Sequence, residues 1–215
     1  MKTRSPESLA DLEQTKLLLC ELLGNFYRLG WCTGTGGGIS VKVPGGYLMA
    51  PSGVAKEYVR PQELFELDEE FKVTNSSRLD GLRLSECAPL FASIYRKCGA
   101  GSVIHTHSVA IVLATRHETK SETLCFERLE MIKGIRGASY LDRHQVPIIP
   151  NTPRECDLEA SLTRALDRLA ANAHAVFVRD HGAYIWGRDV MEAKRHAEVY
   201  EWLCQFKNAA AGLRS

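Results

Sequence analysis

The stretch Val103-Ile104-His105-Thr106-His107-Ser108 sets two imidazoles two residues apart inside an apolar, β-prone run. In a strand that spacing sends both rings to one face, with their Cα atoms about 7 Å apart at ~3.3 Å of rise per residue. Two histidines held this way can grip one divalent ion, and imidazole on a transition ion most often means zinc. A third ligand is still needed. The candidate is His181, in Val176-Phe177-Val178-Arg179-Asp180-His181-Gly182, where an apolar strand pattern ends in a turn. Ligands often sit where a rigid strand gives way to a loop. A lone histidine reads equally well as a packed or hydrogen-bonded side chain, whereas the pair together with His181 reads as a metal site.

Outward from that strand, the chain alternates helices with short strands. Leu9, Leu12, Leu19, Leu22, Leu23 and Phe26 recur at helical spacing between Ser5 and Leu29, and Ser5-Pro6-Glu7 is a helix-start signal. Ile39 to Val43 and Tyr47 to Met49 read as strands joined through Pro44-Gly45-Gly46. Pro61-Gln62-Glu63 reads as one helical turn before a short strand, Leu64 to Leu67, and residues 68–83 read as an irregular surface connection. Ser85 is the predicted N-cap of a helix reaching Cys98, with Pro89 in its first turn. Downstream, Val109 to Thr115 reads as a helix, Val146 to Ile149 as a strand and Asp157 to about Ala170 as a helix. Ala173 to Val178 and Ala183 to Trp186 read as strands. Val190, Ala193, Ala197, Tyr200 and Cys204 mark a last amphipathic helix. No repeat or composition shift divides the chain. The expectation is a single α/β domain over residues 1–215, with a central, mainly antiparallel sheet flanked by helices.

Composition excludes several function classes. Among 215 residues, 45% are hydrophobic and 25% charged, as in ordinary globular proteins, and a formal charge of +1 with no dense basic run argues against nucleic acid as partner. Seven cysteines, odd in number and without a Cys-x-x-Cys pair, suggest neither a disulfide framework nor a cysteine zinc cage, so a reducing, cytoplasmic compartment is expected. The apolar run Leu17-Leu18-Leu19-Cys20 is broken by Glu21, which argues against a membrane span or a cleaved leader. A small-molecule partner is expected.

Three further stretches carry candidate chemistry. In Thr33-Gly34-Thr35-Gly36-Gly37-Gly38-Ile39-Ser40, four of the five residues from Gly34 to Gly38 lack a side chain. Such a loop can present backbone N–H groups to a phosphate or serve as a structural turn. It is followed by a strand pattern, so it is neither a P-loop nor a dinucleotide fingerprint. Ser52-Gly53 can close the same pocket. Cys87, at a helix start, faces a positive dipole end that favours a thiolate. Glu127 and Glu130 lie near apolar residues in Leu124 to Gly134, where a carboxylate beside a metal can act as acid and base. Surface salt-bridging is the other reading, and spacing does not choose between the two.

These motifs resemble the class II aldolase/adducin superfamily and, within it, the methylthioribulose-1-phosphate dehydratases of methionine salvage. The resemblance runs from Phe26-Tyr27-Arg28-Leu29-Gly30-Trp31 to Tyr184-Ile185-Trp186-Gly187. Its most specific parts are Thr33 to Ser40, Ala50-Pro51-Ser52-Gly53, Cys87-Ala88-Pro89-Leu90-Phe91, Val103 to Ser108, Glu130-Met131-Ile132-Lys133-Gly134 and His181-Gly182. It implies zinc on His105, His107 and His181, Cys87 at the substrate, and Glu130 as the proton donor and acceptor. It places phosphate at Gly36, Gly37, Gly38, Ser52, Gly53 and Ser85. It also implies a homotetramer with sites between subunits and, from animal members, a cell-death protein partner. Glu86 stands where the aldolases of the superfamily carry a catalytic glutamate. The rival readings are therefore a zinc aldolase or epimerase acting on another short phosphosugar, or a non-catalytic interaction protein.

Overall fold

The computed structural model describes residues 6–76, 79, 81–119 and 121–212. Eight strands form one sheet in the order β3-β2-β1-β4-β8-β7-β6-β5. They are β1 (Gly38–Val43), β2 (Gly46–Met49), β3 (Phe65–Leu67), β4 (Ser102–Thr106), β5 (Thr123–Glu127), β6 (Arg143–Ile149), β7 (Ala175–Val178) and β8 (Gly182–Gly187). All neighbours pair antiparallel except β6 with β7. The expected mainly antiparallel sheet is therefore what forms.

Strand side chains alternate between two faces, and each face has its own core. Ile39, Ile104, Ala183 and Ile185 pack beneath α1 (Pro6–Arg28), α3 (Val109–His117) and α5 (Val190–Gly212). Val103, Tyr184 and Trp186 pack beneath α2 (Ala88–Cys98) and α4 (Glu159–Asp167). The helical stripe Leu12, Leu19, Leu22, Leu23 and Phe26 is buried as its spacing requires. The Ser5 start signal and the Leu9 side chain lie outside what is described.

Several local expectations change, among them the start of β6, which is Arg143 and not Val146, and of β7, which is Ala175 and not Ala173. Thr123–Glu127 is a strand, its Leu124 and Phe126 buried while Glu127 is exposed, a period of two that the glutamates obscured. The third strand begins at Phe65, one residue later than read. The helix expected from Asp157 to Ala170 is a 3-10 turn, Glu155–Leu158, followed by α4, which ends at Asp167. Ser85 is not the N-cap of α2: that position is Cys87, and the Ser85 hydroxyl, two residues before that cap, instead accepts the Cys87 N–H at 3.2 Å.

Three more histidines gather at α5, His196 on the helix itself and His144 and His174 packed against it. His196 donates through Nδ1 to the Trp186 carbonyl at 2.7 Å and accepts the Arg136 N–H on Nε2 at 3.1 Å, an arrangement only the neutral ring can make. Its ring stacks on His174, and Glu192 with Arg136 and Arg195 closes the surround. His144 shares a hydrogen bond with Tyr200, and its buried Nδ1 has no partner among the described residues. Burial, with the neighbouring His174, lowers His144 and His196 to about 4, and burial lowers His174 as well. Each folded value lies below the unfolded one, so the stability these rings contribute is present above pH 6.5 and is lost as pH falls toward 4. The loss is up to about 1.4 kcal/mol per pH unit for each ring. The urea midpoint should therefore fall between pH 7 and pH 5. In His144→Gln, which has one titrating ring fewer, that fall should be shallower; an equal fall would remove His144 from the account.

Candidate metal centre

His105 is the fourth residue of β4 and points, with Val103, into the α2/α4 layer. Opposite it in β8 is Tyr184, whose ring stacks on the imidazole with centroids 4.4 Å apart. His107 lies just past the strand end, where its N–H is held by the Trp31 carbonyl at 2.8 Å. Ser108 then caps α3 by accepting the Ile111 N–H. His181 sits in the tight turn from β7 to β8, which Asp180 enters with a positive φ. Parity along one strand and a turn two strands away thus bring three rings to one point.

Their Nε2 atoms converge. His107 Nε2 is 2.9 Å from that of His105 and 3.2 Å from that of His181. Around a tetrahedral ion with bonds of about 2.05 Å, such edges would measure roughly 3.3 Å. On the far side of the rings, His105 Nδ1 meets the Ala183 carbonyl and His181 Nδ1 meets Asn151 Oδ1, each at 3.0 Å. Those acceptors hold the proton on Nδ1 and leave the Nε2 lone pair facing the centre, the tautomer a metal requires. Burial, reinforced by the neighbouring histidines, lowers His107 to about 3, and burial with His105 lowers His181 to about 4. Both rings are neutral at pH 7. Lone pairs this close suit a shared cation, so the residues fit a metal.

Glu155, which spacing did not single out, completes the group. Its Oε1 is 2.7 Å from His105 Nε2 and 3.7 Å from His181 Nε2, and the four ligand atoms lie within 4.8 Å of one another. The Tyr184 hydroxyl donates to the same carboxylate at 2.8 Å. Burial alone would raise this carboxyl, but the adjoining His105 ring, with hydrogen bonds from Cys87 and Tyr184, holds it well below the usual range.

Cys87 does reach the site, 3.8 Å from the Tyr184 hydroxyl, but not as the thiolate expected at a helix start. It is buried, and burial together with the Glu155 charge pushes its thiol well up. It is therefore a protonated donor at neutral pH. Glu86, its neighbour, is exposed and faces the charge of Arg154.

Of the predicted phosphate residues, Gly38 pairs with His105 across β1 and β4. A Cβ on Gly36 would come within 2.5 Å of His107 Cε1. Gly37 has φ +68°, and its Cβ would sit 2.9 Å from the His105 carbonyl. The loop is thus glycine-rich partly because it lies against His105 and His107. Gly36→Ala must displace the His107 ring, and a loss of metal affinity of about 10- to 100-fold is expected, the usual cost of disturbing a ligand's support. Competition with a chelator, read by metal analysis, checks it. Ser52 is bridged to Arg83, its N–H on the Arg83 carbonyl at 2.9 Å.

Glu130 is not part of this constellation within one chain. It opens a 3-10 turn, Glu130–Gly134, with its side chain exposed and paired to Lys133 at 2.8 Å. The buried Ile132 of that turn belongs to the α1/α3/α5 core, on the face of the sheet opposite His105. Glu127 is likewise exposed and paired with Arg143.

The chain matches the Class II Aldolase and Adducin N-terminal domain family over residues 18–207. It is 42% identical over 200 residues to the human methylthioribulose-1-phosphate dehydratase, covering 90% of this chain and 82% of that one. The mouse protein of the same name matches equally, at 42% over the same shares. Among solved structures, YgbL of Escherichia coli, a putative aldolase/epimerase/decarboxylase, superposes with a TM-score of 0.75 at 21% identity, over 91% of this chain and 88% of its own. The L-fuculose-1-phosphate aldolase of Thermus thermophilus does so with a TM-score of 0.65 at 21% identity, over 94% of each chain. Those two likenesses concern the fold.

Proposed function

Because the chain belongs to the class II aldolase and adducin family and to its methylthioribulose-1-phosphate dehydratase branch, we propose that it is a hydro-lyase. Its reaction is the dehydration of 5-methylthioribulose 1-phosphate to 2,3-diketo-5-methylthiopentyl 1-phosphate in methionine salvage. The observation that carries the reading is the convergence of three Nε2 atoms in a chain 42% identical to named dehydratases.

The donor set favours zinc over the hard cations, since three imidazoles and one carboxylate suit a borderline ion. When bound, the ion supplies a Lewis acid for the C2 ketone of the substrate. The remaining steps belong to the chain. The glycine loop, Ser52-Gly53 and Ser85 hold the phosphate and so fix the sugar's register. The Cys87 thiol donates a hydrogen bond at the substrate. A carboxylate removes the C3 proton, and the same group, now an acid, protonates the departing C4 hydroxyl. The resulting enol becomes the diketone, with one water lost.

Glu130 is that carboxylate, and it enters from a second copy of the chain, as the dehydratase resemblance implies for a homotetramer with shared sites. Two observations support the assembly. Glu130 is exposed and on the opposite face of its own sheet from His105, and a partly apolar groove opens between α3 and α5 on the Glu130 side. There Val109, two residues from His107, is 68% exposed and borders the groove with Leu29, Trp31 and Leu113. Such a patch on a globular chain is usually covered by a partner.

No helix among the described residues is long and apolar enough to cross a membrane, and all seven cysteines are free. Both fit action in the cytoplasm. The test is product analysis by NMR after incubating metal-loaded protein with methylthioribulose 1-phosphate. A 2,3-diketone supports the dehydratase; an aldehyde and a shortened phosphosugar would replace it with the aldolase reading.

A further inference from the structure

Lys56 is a lysine where the sequence gives no reason to expect burial, in a polar segment just after Pro51-Ser52-Gly53-Val54-Ala55. It opens a 3-10 turn, Lys56–Tyr58, and is 1% exposed. Its Nζ donates to the Thr35 carbonyl at 2.7 Å and to the Val54 carbonyl at 3.1 Å. The first of these is the residue before Gly36-Gly37-Gly38, and the second is the residue after Gly53. One ammonium therefore ties together the two segments whose composition suggests a phosphate cradle.

The energetics of that placement ask for an anion. An ammonium has three donors and no acceptor, and among the described residues its hydrogen-bond partners here are both neutral carbonyls. A buried cation satisfied only by dipoles retains a large desolvation cost, which a nearby negative charge would offset. Burial lowers Lys56, while the neighbouring thiols of Cys32 and Cys87 and the carboxylates of Glu155 and Glu57 act the other way. A second cation borders the same turn: a Cβ on Gly53 would lie 3.1 Å from Arg83 Nη2, and the Arg83 backbone is bridged to Ser52. A glycine-rich loop is otherwise costly to immobilise, because glycine loses more backbone freedom than any other residue.

We propose that Lys56 is the positioning residue of the phosphate subsite: its buried ammonium clamps the glycine loop to the Ser52–Val54 turn and supplies the positive field in which both receive a phosphate monoester. This rests on the dehydratase reading for the identity of the substrate, though not for the chemistry of the clamp.

The test uses metal-loaded full-length Lys56→Met, Lys56→Gln and Lys56→Arg proteins beside the wild type. Inorganic phosphate is titrated as inhibitor and, separately, as a ligand that raises the melting temperature. Loss of one charge-assisted interaction predicts that the substrate KM and the phosphate inhibition constant both rise about ten- to hundredfold in the Met and Gln variants. The value of kcat should move by less than about threefold, and Lys56→Arg should recover much of the affinity, since it keeps the charge. A merely structural lysine would instead lower stability and metal content without this split of KM from kcat. If Lys56→Met does not fold, the Gln and Arg pair gives the same comparison. Unchanged phosphate constants in Gln and Met, or no phosphate effect on the wild type, overturn the proposal. Failure of the dehydratase reading is distinguishable: the wild type would then yield no diketone while its phosphate affinity still depended on Lys56.

Discussion

Replacing any one of His105, His107 or His181 by alanine should strip the purified protein of its metal and of nearly all activity while leaving the fold in place. The rings belong to a strand and two turns whose cores are built from other residues, so the melting temperature should stay close to that of the metal-free wild type. What is lost is one of three nitrogens held at 2.9 and 3.2 Å around a common centre. Glu155 can remain as a ligand, but two imidazoles and a carboxylate that is also held by Tyr184 make a far weaker site. Lewis-acid help is worth several kcal/mol at the transition state, so kcat/KM should fall by about 10³ or more. The readouts are metal content by mass spectrometry and steady-state kinetics. Full occupancy in all three variants would show that the cluster is a hydrogen-bonded histidine network and not a metal centre.

How far this site could be read without coordinates differs residue by residue. His105 and His107 were legible because side-chain parity in a strand is a local property, and His181 because a β-turn with a glycine is also local. Most of the sheet followed from the same period-two patterns, but the strand at Leu124 and Phe126 did not, because the glutamates beside it drew the reading to their carboxylates. Glu155 and Asn151 were not legible. They lie on the connection after β6, and only the parallel pairing of β6 with β7 carries that connection past the ends of β7 and β8 to His181 and His105. Cys87 shows a conflict between two physical effects. A helix start favours a thiolate by roughly 1 kcal/mol, whereas burial beside a carboxylate disfavours it by more, and burial wins. Lys56 reads as a surface lysine from its sequence neighbours, because one of the two carbonyls its ammonium reaches lies 21 residues upstream, on the glycine loop, and the other belongs to the turn before its own.

Glu130 was legible only as part of a motif, and the fold then puts it on the other side of the sheet from the metal ligands. If a partner copy supplies it, Glu130→Gln should leave metal content, assembly and substrate affinity nearly intact while lowering kcat by about 10² to 10⁴, the usual worth of a general acid and base. Glu86→Gln should cost far less, because Glu86 is exposed, lies near the charge of Arg154 and is outside the group formed by the three histidines and Glu155. The decisive form of the experiment mixes two dead proteins. In a shared site, a Glu130→Gln subunit keeps a good metal centre and a His181→Ala subunit keeps a good carboxylate. Unfolding the two together and reassembling them should then restore turnover at those sites where each contributes its intact half. If both residues instead act within one chain, each subunit is dead on its own account and mixing restores nothing. Steady-state kinetics on the mixture, with diketone and aldehyde measured in parallel, separates these outcomes. Should Glu86→Gln be the inactive variant and cleavage products come from the wild type, the carboxylate beside Cys87 is the base and the chain is an aldolase.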